Sequence, residues 1–351
     1  MSRLILQKLE RRFVKAYLRW GKQKRPPIAV NVEPTNICNL ACPICPHGAV
    51  RAGLIPEFKR ARGYLELTTF DKILAECRRS QIRSMSLYLH GEPFLHPDLP
   101  EMVNRAKEKH IFVNIFSNGL LIRADQLEQV LRAQPKSLTV SMDLISREGY
   151  LRYKGSDHFA EACEQLQMIT SVFTRMRTKT KLTLRTIYNG EPREAIGDFL
   201  SRWFAVPGLE TIQLTHAFPW PRRTDADMLA NRVAADQQGE CPQVWNALNI
   251  CWDGTVTPCS YDYEAEYPLG QILESSLEAI LNSRAARHFR RMHVLGKRAQ
   301  IPLCAQCILP RFVFEIITIA STQYMTMNLD DQQKLLDQIT NLRFSPVKDF
   351  F

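Results

Sequence analysis

Between residues 28 and 215, six short β-rich runs alternate with longer stretches whose apolar residues recur at helical spacing, and this alternation restricts the fold more than any other feature. The runs are Ile28–Glu33, Ser84–Leu89, Ile111–Ser117, Ser137–Asp143, Lys181–Tyr188 and Thr211–Thr215. The helical patterns between them are Thr69–Arg79, Leu99–Lys109, Ala124–Ala133, His158–Arg175 and Arg193–Phe204. Parallel strands need a crossover between them, so repeated βα units predict a parallel sheet. Such a sheet curls toward a barrel whose site lies at the strand C-terminal ends. Six units predict a partial (β/α)6 barrel of the α/β class. Asn36–Pro46, Gly91–Pro93 and Ser117–Gly119 each follow a strand, so three loops converge on one rim.

The rhythm stops after Thr215, and the Pro- and Arg-rich stretch Phe218–Arg223 marks a boundary near 218. The expected organisation is an N-terminal helix over 1–26, the barrel over 27–217 and a small cysteine-rich domain over 218–351. In the last, Ala247–Ser260 reads as a hairpin turning at Asp253-Gly254, and helices follow at Leu277–His293 and Asp330–Asn341. A chain of 351 residues exceeds what one core usually serves. Its 45% hydrophobic and 23% charged residues exclude disordered and collagenous classes. No run of about 18 apolar residues and no cleavable signal appears, so a cytoplasmic protein is expected. Ten cysteines in that compartment point to metal rather than disulfides.

The net charge is +10, but residues 1–25 hold nine basic residues against Glu10, leaving only +2 for the other 326. A broad nucleic-acid-binding surface is therefore not expected. In that segment Leu6, Leu9, Phe13, Ala16, Tyr17 and Trp20 form one helical stripe among basic residues. It suits either peripheral contact with an anionic membrane or closure of one barrel end, and Pro26 and Pro27 end it.

Cys38-Asn39-Leu40-Ala41-Cys42-Pro43-Ile44-Cys45 places three thiols on the loop after the first strand. With His47 as fourth ligand they would make a Cys3His zinc site; alone they would hold an iron–sulfur cluster with one open iron. The rim position favours the second, because structural zinc rarely sits where catalysis is expected.

Four segments in order then resemble the radical S-adenosylmethionine (radical SAM) superfamily. The CxxxCxxC loop matches, and Gly91-Glu92-Pro93 resembles the GEP segment, with His90 where a glycine often stands. Ser117-Asn118-Gly119 is similar to the TNG segment, and Ser141-Met142-Asp143 to the S-x-D contacts. The resemblance implies that Cys38, Cys42 and Cys45 hold a [4Fe–4S] cluster whose fourth iron chelates S-adenosylmethionine (SAM). It implies that Gly91, Glu92 and Pro93 receive the SAM amino group, that Ser117, Asn118, Ser141 and Asp143 contact the cofactor, and that Ile44 packs on adenine. Reductive cleavage would give a 5′-deoxyadenosyl radical that abstracts a substrate hydrogen, with flavodoxin or ferredoxin as electron donor. Arg185 lies on the fifth strand, on either the inner or the outer face.

Cys241, Cys259, Cys304 and Cys307 form a second group, with twelve residues from Cys241 to Gly254 and four more to Cys259. This resembles the opening of the SPASM domain found after radical SAM barrels. No cysteine follows Cys307, so the resemblance implies the shorter twitch arrangement with one auxiliary [4Fe–4S] cluster; a zinc ribbon would use the same four ligands. Cys251, Cys77 and Cys163 read as small core residues.

The expected activity is dehydrogenation of a small polar substrate such as a sugar, cyclitol or aminoglycoside precursor, with the auxiliary cluster accepting the electron. The alternative is epimerisation or crosslinking of a ribosomally made peptide. Residues 1–25 are too short for a leader-binding winged helix, which favours the small substrate. A lipid-linked substrate is a third option, and a zinc-stabilised nucleic-acid-binding protein is the reading from another class.

Overall fold

The computed structural model describes residues 29–188, 190–215, 241–305 and 317–340, with Pro27 and Cys307. The helix expected over 1–26 and the boundary near 218 lie outside the described residues.

Ten strands form one sheet: β1 Ala29–Val32, β2 Ser84–Leu87, β3 Phe112–Ser117, β4 Ser137–Ser141, β5 Lys181–Ile187, β6 Thr211–Thr215, β7 Ala247–Ile250, β8 Thr255–Thr257, β9 Gly270–Gln271 and β10 Ile317–Ala320. The order is β10-β6-β5-β4-β3-β2-β1-β7-β8-β9, with β1 to β6 parallel and in chain order. That order lacks the reversal of a doubly wound sheet and is that of an unclosed barrel. Helices Leu67–Arg79, Leu99–Glu108, Ala124–Arg132, Phe159–Met176 and Arg193–Phe204 cross between successive strands, within two residues of their expected ends.

Strand alternation divides the sheet sharply. Val30, Val32, Met85, Leu87, Val113, Ile115, Leu138, Val140, Leu182, Leu184, Ile212 and Leu214 are fully or nearly fully buried in the main core. Each such side chain contributes about 1.5–3 kcal/mol by leaving water. The intervening positions share the other face: Asn31, Ser86, Asn114, Ser137, Thr139, Ser141, Lys181, Thr183, Arg185 and Gln213 make it mostly polar, with Phe112 and Phe116 the aromatic exceptions on β3. Parallel strands buried under helices on both faces are usually apolar throughout, so the polar face is the lining of a lumen. Arg185 belongs to it, which settles the facing that strand periodicity left open.

Two features depart from expectation. The hairpin Ala247–Thr257 does not stand apart: β7 pairs in parallel with β1, from Ala29 opposite Ala247 to Val32 opposite Ile250, and continues the barrel sheet. Asn31 Nδ2 donates to Asn249 Oδ1 across that seam at 2.9 Å. The single helix expected over Leu277–His293 is two, Leu277–Leu281 and Arg284–Val294. Ser276 and Ser283 each cap a new N-terminus, accepting from Ala279 N–H and Ala286 N–H, and the second serine restarts the helix. Helix Leu329–Thr340 and the antiparallel edge strand β10 close the described chain.

Candidate active site and auxiliary metal centre

Cys38, Cys42 and Cys45 lie half-buried on the loop between β1 and a helix over Pro46–Arg51. A Cβ on Gly48 would fall 2.1 Å from Cys42 O, so only glycine lets that helix seat against the loop. Burial pushes the Cys38 thiol up to about 11 and raises Cys42, while the Lys154 ammonium pulls both down. His47 turns away from a ligand role through Nε2, which meets the His90 carbonyl at 2.6 Å, and its ring stands edge-on to Phe58. Ile44 is half-buried on the same loop.

The second loop lies directly against the first. Glu92 N–H donates to Ile37 O at 2.9 Å, and a Cβ on Gly91 would sit 2.0 Å from Thr35 O. Pro93 opens the short turn Pro93–Leu95. The Glu92 carboxylate, 2% exposed, accepts from Phe94 N–H at 3.0 Å, Ser117 Oγ at 2.8 Å and Asn118 N–H at 2.7 Å. Burial raises its pKa against those three donors and Lys154. A carboxylate offers about four acceptor positions, so one remains for an ammonium group. Ser117 also accepts from Gly119 N–H, and Asn118 Nδ2 donates to Asn39 Oδ1 at 2.8 Å on the cysteine loop. The loops after β1, β2 and β3 are thus tied into one unit.

The fourth segment is organised by a residue that sequence reasoning missed. Lys154, fully buried, donates to Ser141 O at 2.7 Å and pairs with Asp143 Oδ2 at 3.0 Å. Asp143 Oδ1 accepts from Ile187 N–H at 2.7 Å. Burial opposes the ammonium, but Asp143 and the nearby Cys42 keep the Lys154 pKa raised. A buried cation facing the cysteine loop suits an anionic iron–sulfur cluster there.

The other cysteine group also assembles. Cys241, Cys259 and Cys304 are buried among Val244, Phe289, Ile301 and Leu303, and Cys307 N–H donates to Cys304 O at 3.2 Å. Burial raises the Cys259 thiol well above its ordinary value, and Cys241, Cys307 and Cys304 each add to that rise. Burial likewise pushes Cys304 to about 12. His293 adds an unforeseen contact. Cys241 N–H donates to its Nδ1 at 3.4 Å, which leaves the ring proton on Nε2, 3.5 Å from Cys304 Sγ. Burial holds that ring neutral, down to about 4. Arg298 donates from Nη1 to Cys307 O at 3.2 Å, while its buried Nε has no partner. Four thiols, an N–H aimed at one sulfur and a buried cation with an orphaned donor fit a cluster of net negative charge. Among the described residues, no three His, Cys, Asp or Glu side chains form a closed single-ion shell. Cys77, Cys163 and Cys251 are buried, at 1%, 7% and 0% exposure.

A charged junction joins the two centres. Glu33, just past β1 and fully buried, meets Arg60 at 2.6 Å, His90 Nδ1 at 2.9 Å and Trp252 N–H at 3.0 Å. His90 reaches Ser260 O with Nε2 at 2.7 Å, beside Cys259, which accounts for a histidine in place of the usual glycine. Burial alone would raise the Glu33 pKa, but His90 and Arg60 bring it down to about 2. A charged residue directly after a strand bearing two buried valines was the signal available in the sequence.

The Radical SAM superfamily profile matches residues 32–201, and that of SPASM, an iron–sulfur cluster-binding domain, matches 241–308. PqqA peptide cyclase of Gluconobacter oxydans is 26% identical over 245 residues, covering 69% of this chain and 64% of that protein. The chain spans from a third to about two thirds of the curated relatives it matches. Streptococcus suis SuiB bound to precursor peptide SuiA superposes with a TM-score of 0.59 at 14% identity, over 82% of this chain and 72% of that one. BtrN in complex with AdoMet and 2-DOIA gives 0.53 at 17% identity, over 81% and 93%. Both share the fold. Among the described residues no helix is long and apolar enough to cross a membrane. The chain belongs to the radical SAM superfamily and carries a C-terminal SPASM domain, and so is an enzyme that takes S-adenosylmethionine and iron–sulfur clusters as cofactors.

Proposed function

We propose that this enzyme modifies a ribosomally made peptide by epimerisation or crosslinking, in place of the small-substrate dehydrogenation that the sequence alone favoured. The relatives support this: PqqA peptide cyclase is named for a peptide, and SuiB is seen with its precursor peptide. The structural observation that carries the reading is the fixed junction. Pairing of β7 with β1 and the Glu33–Arg60–His90–Ser260 bonds tie the hairpin that leads to Cys259 to the loops after β1 and β2, which supports one shared site.

In this reading Cys38, Cys42 and Cys45 hold the first cluster, and Cys241, Cys259, Cys304 and Cys307 an auxiliary one. Bound SAM supplies a 5′-deoxyadenosyl radical. Glu92 offers its remaining acceptor position to the SAM ammonium, a charge-assisted bond worth about 1.5–3 kcal/mol. Ser117 and Asn118 hold Glu92 in place, Asp143 and Lys154 fix the floor beside Ser141, and Ile44 covers one side. For crosslinking, which removes two hydrogens, a cluster held by Cys241, Cys259, Cys304 and Cys307 would supply an acceptor for the electron left when the second hydrogen departs as a proton; epimerisation is redox-neutral and would need none. The polar lumen keeps one second reading in view, oxidation of a small polar alcohol.

The test is mass spectrometry of short peptides encoded beside the gene after anaerobic incubation with reconstituted enzyme, SAM and a flavodoxin or ferredoxin reductant. Loss of hydrogen, or deuterium uptake from heavy water at unchanged connectivity, supports the peptide reading. Unmodified peptides together with oxidation of a polyol or aminocyclitol would establish the second.

A further inference from the structure

Among the described residues Arg185 is the one arginine on strands β1 to β6, and its surroundings lack the anion that such a group needs. On β5, it stands opposite Ser141 of β4 on one side and Gln213 of β6 on the other. Its Nε and Nη2 donate to Gln213 Oε1 at 3.2 and 2.8 Å, and its guanidinium lies 5.3 Å from the centre of the Phe116 ring. Among the described residues no carboxylate pairs with it. Tyr88, whose ring lies 5.3 Å from Phe116, is the group whose charge would favour the cation, and Tyr88 is itself close enough to Cys259 to feel that thiol. Burial disfavours the charge and lowers the Arg185 pKa.

A guanidinium cannot discharge near neutral pH, so it remains a half-buried cation whose partial desolvation is met only by a neutral amide and an aromatic face. Gln213 takes the Nε side of the fork. Nη1 and the second proton of Nη2 are left as a parallel pair, the geometry that a planar carboxylate matches with two bonds. The single positive charge matches a single negative one.

We propose that Arg185 is the docking point for a carboxylate of the substrate, held between Phe116 and Tyr88 on the stretch of wall that separates the SAM site from the auxiliary cysteines. This rests on the peptide reading above and sharpens it: the modified segment presents an acidic side chain or a free C-terminus to the lumen. The same residue sets specificity, because an amide in place of the carboxylate leaves the guanidinium unpaired.

The probes are N-acetylglutamate α-amide, N-acetylalanine and N-acetylglutamine α-amide, titrated into anaerobic, SAM-loaded holoenzyme and followed by ligand-observed NMR. The first carries a side-chain carboxylate, the second a terminal one, and the third neither. Binding of the first or second, with the third at least tenfold weaker, is expected, and whichever binds more tightly names the source of the carboxylate. Arg185→Gln should weaken the bound carboxylate about ten- to a hundredfold, the range of one charge-assisted pair, and Arg185→Lys should recover part of it. Gln213→Glu is the second variant: it supplies an internal carboxylate at 2.8 Å from Nη2 and should exclude the probe while keeping side-chain volume. Iron content and melting temperature establish that each variant is folded. Equal binding of the acid and amide probes, no binding of either by folded wild-type enzyme, or carboxylate binding that survives both variants would overturn the assignment. Probe binding needs no turnover, so carboxylate binding without peptide modification sinks only the peptide reading. Modified peptides with indifferent probes sink only the role of Arg185.

Discussion

Replacing Glu33 by glutamine isolates the junction between the two domains, because the side chain keeps its volume and loses only its charge. The carboxylate is fully buried, and its pKa is about 2 against an ordinary 4.5 despite the burial. At about 1.4 kcal/mol per pH unit, that difference is worth about 3 kcal/mol of folding stability at neutral pH. The folded pKa is depressed, so the contribution is present above 4.5 and is lost as the pH falls toward 2. By the same linkage it is nearly complete at pH 5 and reduced to about 1 kcal/mol at pH 3. Glutamine also leaves Arg60 and His90 buried without their anion, and breaking such a pair costs about 3–5 kcal/mol. Urea unfolding of metal-free wild type and Glu33→Gln, followed by tryptophan fluorescence, should show a gap of about 3–4 kcal/mol at pH 7 that narrows on acidification. A gap below about 1 kcal/mol at pH 7, or one that stays constant down to pH 3, would refute the reasoning.

Lys154→Met should cost about 3 kcal/mol by stranding Asp143, and adding Asp143→Asn should return most of it; a double variant no better than the single would show that the pair is not coupled. His293→Leu removes the N–H aimed at Cys304 and should make the auxiliary midpoint more negative in a potentiometric EPR titration, with iron content unchanged. Cys42→Ala should abolish 5′-deoxyadenosine formation. Cys304→Ala with Cys307→Ala should keep some uncoupled formation but lose product and about half of the roughly eight irons expected from two four-iron clusters, and retained product would disprove the electron exit.

Much of this architecture is local in the chain and so was legible there. Each barrel strand announces itself by two or three β-branched or aliphatic residues ended by polar ones, and each crossover helix by its own stripe. Gly91, Glu92, Ser117 and Asn118 stood out because each belongs to a short contiguous segment, directly after a strand, that resembles a radical SAM motif. What stayed hidden depends on residues distant in sequence. Neither Lys154 near Asp143 nor His293 near Cys304 has a local signature, since burial and the partner appear only once helices are packed. The restart at Ser283 was legible as a capping serine inside a helical pattern. The pairing of β7 with β1 was not, because nothing in Leu248-Asn249-Ile250 names its neighbour.

That pairing also bears on how the chain is made. β1 leaves the ribosome well before the strand that covers its free side, which lies 218 residues later in the chain, at Asn249 for Asn31. At a synthesis rate of 5–20 residues per second, the delay is about 10–40 s. Throughout it, the nascent barrel presents a bare row of peptide N–H and C=O groups directly below the loop bearing Cys38, Cys42 and Cys45. The growing chain is therefore most vulnerable to edge-to-edge association, and its first three thiols most open to early metal or oxidant, in the interval before the hairpin emerges and seals the seam.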